Sequence, residues 1–125
     1  MAEISIHIDR ENEVSVITIK GILEKDDLPK TLENHFANDP TLNTIYDSTN
    51  GDWSHIPTKY YLEMVRLGKI YTRKSARVAM VFSNSVDFGI GRMIESHCEL
   101  EGYENEFACF RSLEEAELWL SLPLR

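Results

Sequence analysis

Three polar stretches carry the side chains best suited to chemistry, and each follows an apolar run directly. The first holds Asp47, Ser48, Thr49 and Trp53; the second holds Ser83, Asn84, Asp87 and Phe88; the third holds Arg111 and Ser112. Carboxylate, hydroxyl, amide and guanidinium groups gathered in this way could orient a polar ligand. In an open parallel sheet such stretches converge beyond the carboxyl ends of the strands, where ligands favour the crevice. A plainer role is open to the same residues, because Asp47, Ser83, Asn84 and Ser112 are types that cap turns and helices. Catalysis by Asp47 with Ser48 or Ser54 would rest on isolated polar groups, and no enzyme is expected.

Phe88-Gly89-Ile90-Gly91-Arg92 places two glycines in the first turns of a helix. Glycine costs a helix about 1 kcal/mol against alanine, so a close backbone approach is expected to compensate. The approach is either a ligand anion at the helix N-terminus, with Arg92 as counter-charge, or tight packing of helix on sheet. The spacing is not that of a dinucleotide fingerprint, and the chain has no phosphate-binding Gly-x-x-x-x-Gly-Lys-Ser/Thr loop.

The four histidines, His7, His35, His55 and His97, are dispersed and show no metal-ligand spacing, so neither metal nor other cofactor is expected. Cys98 and Cys109 lie in apolar surroundings and suit a reducing, cytoplasmic compartment. Trp53, Tyr60 and Met64 could line an apolar cavity or a partner surface, or simply close the core.

Elements must hold these groups in place. Ile4–Asp9 alternates apolar and polar residues, Arg10–Glu13 is a polar turn, and Val14–Lys20 is β-branched on both faces, which together predict a hairpin ended by Gly21. From Asp26 the period changes. Leu28, Leu32 and Phe36 recur every four residues and predict a helix, with Asn38-Asp39-Pro40 stopping it. Asn43–Tyr46 predicts a buried strand ending at Asp47, and Ser48–Pro57 an irregular stretch. A helix follows, with Tyr61, Met64, Val65, Gly68 and Tyr71 on one stripe and a basic tail of Arg73 and Lys74 suited to its negative end. Arg77–Phe82 is a continuous buried strand. Ser83-Asn84-Ser85 caps a helix marked by Val86, Ile90, Met93, Ile94 and His97. Glu106–Phe110 is a last strand, and Ser112–Glu115 is a capping box opening a helix that runs through Trp119 and Leu120 to Pro123.

Strand alternates with helix, so the expectation is a single α/β domain over residues 1–125, with a mixed, mostly parallel sheet of about five strands. At 125 residues there is room for one core and no need of a disulfide or metal staple. Thirteen basic against 21 acidic residues give a net charge of −8, which argues against nucleic acid. The longest apolar run, Val78–Phe82, is too short for a membrane span. Met1-Ala2-Glu3-Ile4 has no basic stretch followed by an apolar core, so no export signal is expected.

Several segments fall in a telling order: Gly21–Leu28 after a hairpin, a strand ending in Tyr46-Asp47, Ala79–Ser83, Phe88–Met93 and Phe110–Leu120. That succession, from about Ile4 to Leu122, resembles the small stand-alone, anti-sigma-factor antagonist-like branch of the STAS superfamily, grouped with the Sec14-type lipid-binding fold. The resemblance implies helices packed chiefly on one face of the sheet and non-enzymatic work. In the antagonists a serine of an Asp-Ser-Ser/Thr-Gly motif at the start of the second helix is phosphorylated. Ser54 in Gly51–Pro57 is near that place but lacks the following glycine, and Asp47–Asn50 looks like the motif one loop too early. The leading expectation is a regulatory module acting through protein–protein contact, with homodimerisation through a helix face or sheet edge open to it. The alternative is a carrier of a lipid or other apolar small molecule, which needs a cavity between the sheet and the helices starting near Tyr60 and Val86.

Overall fold

A hairpin begins the chain, and its turn chemistry is local. The Asp9 carboxylate accepts the Asn12 backbone amide at 3.1 Å, and Glu13 adopts a left-handed conformation (φ 54°) that reverses the backbone. The two strands, β1 (Glu3–Asp9) and β2 (Val14–Ile22), pair antiparallel with Ile4 opposite Ile19 and Ile6 opposite Ile17. The chain continues as α1 (Asp27–Asn38), β3 (Asn43–Asp52), α2 (Lys59–Gly68) with a 3-10 turn (Lys69–Tyr71), β4 (Arg77–Phe82), α3 (Ser85–Leu100), β5 (Glu106–Phe110) and α4 (Leu113–Ser121). The structure, a computed structural model, describes residues 2–38, 41–71 and 74–121. Asp39-Pro40, Arg73 and Pro123 lie outside the described residues, as do the side chains of Leu28, Phe36 and Tyr71.

Spatial order in the sheet equals chain order, β1-β2-β3-β4-β5, with every pair after the first parallel. Each crossover therefore steps one place in the same direction, and crossovers of one hand put their helices on one face. Leu32 of α1, Tyr61, Met64 and Val65 of α2, and Ile94 and Cys98 of α3 share a core with Ile17, Ile19, Tyr46, Met80 and Phe82. The last helix has no strand to return to and covers the other face, Ala116 packing with Ile45, Ala79 and Val81. Both faces of β4 are thus buried, which accounts for its unbroken apolar sequence. This is the mixed α/β sheet expected. Among the described residues no helix is long and apolar enough to cross a membrane.

Three expectations need correction. The third strand does not end at Asp47 but runs to Asp52. Asp47 Oδ1 accepts both the backbone amide (3.1 Å) and the hydroxyl (2.6 Å) of Thr49, and beside this turn the register against β2 slips between Thr18 and Lys20. The turn signal therefore marks a bulge inside a strand rather than its end. The buried side of α3 comprises Asp87, Gly91, Ile94 and Cys98, not a stripe starting at Val86, which is 64% exposed. Lys74 follows the 3-10 turn as an exposed turn residue and is not in the last turn of α2.

Candidate functional site

Trp53, which the sequence leaves free to line a cavity, a partner surface or the core, has no exposed area. Three hydrogen bonds fix it. Its backbone amide donates to Asp87 Oδ2 at 3.2 Å, its indole N–H to Ser48 Oγ at 2.9 Å, and its carbonyl accepts the Tyr61 hydroxyl at 2.6 Å. The ring stacks on Tyr61 and meets Phe82 edge-on, with centroids 6.4 and 5.8 Å apart. Burial, with the Asp87 and Asp52 carboxylates nearby, pushes the Tyr61 phenol up to about 12, so it remains a donor.

The sequence-predicted residues do converge at the carboxyl ends of β3 and β4, but they satisfy one another. Asn84 caps α3 by accepting the Asp87 amide at 2.8 Å, and the Ser83 hydroxyl donates to the Thr49 carbonyl at 2.7 Å. Phe88 lies under the Arg111 guanidinium, 4.2 Å from its ring centroid. Arg92 does not face the helix N-terminus; it pairs with Glu95 at 3.5 Å on the exposed side of α3. Gly91 supplies the close approach, because a methyl there would run into the Phe82 ring and stand 3.1 Å from Cys109 Sγ. A side chain at Gly89 would meet nothing. Tight helix–sheet packing explains Gly91, and no ligand is needed.

The open space lies elsewhere, between the sheet and α2–α3. A cavity of about 90 Å³ has Tyr46, Val78, Met80 and Phe107 as its floor. Leu32, Met64, Val65, Ile94 and Cys98 roof it, and Trp53 stands at its buried end. The half-buried members are Gly68 at the end of α2, Tyr103 and Asn105 in the loop before β5, and Val78 and Phe107 near the amino ends of β4 and β5, so the cavity meets solvent on that side. One water needs roughly 10–15 Å³ of such space, so there is room for a small molecule. Tyr103 donates to the Val65 carbonyl at this mouth.

Among the described residues no charged side chain lines the cavity. Burial pushes the Cys98 thiol up to about 12 and raises the Tyr46 and Tyr103 phenols well above their ordinary range, so all three stay neutral. Of the residues picked from sequence, Trp53, Met64 and Gly68 line the cavity, as does Val65 from the same helical stripe. Tyr60 turns away, its ring beneath Lys25 at 4.7 Å. Tyr46 escaped the sequence reading, although a phenol inside a buried strand is the kind of polar tip that signals it. Among the described residues no group of three His, Cys, Asp or Glu could hold a metal.

A similar solved structure is that of an uncharacterised protein of the DUF3478 family, with a SpoIIAA-like fold, from Shewanella loihica PV-4. It is 20% identical, with 96% of this chain and 95% of that one aligned at a TM-score of 0.61. The fold is SpoIIAA-like. No protein-family model matches the chain, and no curated protein matches it significantly. Within this SpoIIAA-like fold Ser54 stands five residues before the first residue of α2. Its hydroxyl and amide both bind Asp52 Oδ1, at 2.6 and 2.9 Å, which holds that carboxyl below its usual range. A phosphate on Ser54 would meet the Asp52 charge rather than the α2 N-terminus.

Proposed function

We propose that this protein is a non-enzymatic binding module that takes one small apolar molecule into the cavity between its sheet and α2–α3. The observation that carries the reading is the lining itself: an apolar floor and roof and, among the described residues, no charge. Such a site gains from excluding water and has nothing to offset the desolvation of an ion. The polar groups at the carboxyl ends of the strands serve as its end wall through Trp53. At about 90 Å³ the space suits a compact hydrocarbon-like molecule; a two-chain lipid would require α2 and α3 to part.

Methylenecyclohexane titrated into the protein in a calorimeter tests this reading. Saturable one-site binding is expected, and Cys98→Leu, which fills the cavity, should abolish it while leaving the far-UV circular dichroism unchanged. Absence of binding to the unaltered protein, or equal binding to the filled variant, overturns the reading.

A second reading, regulation through protein contact, draws on the β1 edge. There Ile6 and Ile8 are 40% and 37% exposed beside an unpaired run of backbone. Sedimentation of the purified protein tests its homodimer form: a dimer that Ile6→Lys dissolves supports it, and a monomer at high concentration removes it.

A further inference from the structure

Tyr46 occupies the middle of the cavity floor and is 7% exposed. Its cavity neighbours are satisfied: Tyr103 donates to Val65, and Trp53 donates to Ser48 and Asp87. Among the described residues no side chain or backbone group bonds the Tyr46 hydroxyl, and Tyr46 lines the open space. A hydroxyl in an apolar cavity that no protein group bonds is costly unless the cavity's occupant pairs with it, and phenylalanine would fill the same volume without that cost. The partner of this hydroxyl is therefore supplied by what occupies the cavity, water when it is empty of ligand and the ligand when one is bound.

We infer that the cavity is built for a neutral, largely apolar molecule bearing one hydrogen-bond acceptor oxygen, such as a ketone, aldehyde, ester or ether, and that the Tyr46 hydroxyl binds that oxygen. The inference rests on the binding reading above and narrows it to a chemical class. The polarity follows from the group: a phenol held neutral by burial, with the neutral Cys98 thiol beside it, is a donor looking for an acceptor. Carboxylates and phosphates do not fit, because among the described residues no cation in the lining would offset their desolvation.

The test uses two probes of nearly identical shape, cyclohexanone and methylenecyclohexane, which differ in C=O against C=CH₂. The unaltered protein should bind the ketone about threefold to tenfold more tightly, the range of one neutral hydrogen bond. Tyr46→Phe should bind both equally and keep its affinity for the hydrocarbon. Equal binding by the unaltered protein, or a ketone preference that survives in Tyr46→Phe, overturns the inference and leaves the apolar-cavity reading standing. Failure of both probes to bind overturns that reading and the inference with it. A measurement on the unaltered protein stands independently of the variant's folding: the ¹³Cζ resonance of Tyr46 should shift with the ketone and not with the hydrocarbon, and an unmoved resonance at saturating ketone also overturns the inference.

Discussion

The carboxylate of Asp87, in the first turn of α3, accepts the backbone amide of Trp53, which lies just past the end of β3, at 3.2 Å. Both residues are buried, so one hydrogen bond joins the crossover helix to the loop that closes the cavity. Removing the carboxylate leaves a buried amide without its partner. Asp87→Ala is expected to lower stability by about 2–3 kcal/mol and Asp87→Asn by less, since the amide oxygen still accepts. Urea unfolding followed by Trp fluorescence checks both, and the Trp53 emission should move to longer wavelength in the alanine variant even before unfolding.

The two glycines of α3 should respond with opposite signs. Gly91→Ala forces a methyl against Phe82 and is expected to cost about 1–3 kcal/mol. Gly89→Ala meets open space in a helix interior and is expected to stabilise by roughly 0.5–1 kcal/mol. Paired denaturation curves decide it; two changes of the same sign would contradict the packing described.

Arg77 anchors the last helix from the neighbouring strand. Its side chain is buried, pairs with Glu106 at 2.8 Å, donates to the Trp119 carbonyl at 2.6 Å, and lies against the Trp119 ring. Arg77→Met retains the stem but loses these bonds, for an expected loss of about 1–3 kcal/mol. Hydrogen exchange should localise the effect to α4, leaving α2 amides protected.

Stability should fall on the alkaline side. Burial raises Cys98 and Cys109 from 9.0 when unfolded to about 12 when folded. The folded chain therefore holds these protons longer, and the contribution is complete below pH 9 and is lost as pH rises from 9 toward 12. The urea midpoint should be flat between pH 7 and 8.5, decline above 9, and decline less steeply in Cys98→Ala. At pH 8 a thiol-reactive disulfide reagent should label neither cysteine until the protein unfolds.

How far these elements were legible in the sequence depends on what each signal measures. Arg77–Phe82 and Glu106–Phe110 were read to the residue, because each holds an unbroken apolar run bounded by polar residues. The end of β3 was misread because Asp47 and Thr49 carry turn chemistry that the structure spends on a bulge. The buried side of α3 was misplaced by one residue: hydropathy favours Val86 over Asp87, although the carboxylate has a buried partner and the valine none. The cavity was not legible as a volume, since it depends on the spacing between layers set by residues from eight separate elements and loops. Sequence could name Trp53 and Met64 as candidates for its wall, but not the floor position of Tyr46.

The stepwise order of the sheet bears on how the chain assembles as it is synthesised. Since neighbours in space are neighbours in sequence, each strand leaving the ribosome finds its docking edge already made, and none has to wedge between two earlier partners. Vectorial growth of this kind keeps loop closures short and leaves only one growing edge open to stray pairing at any moment.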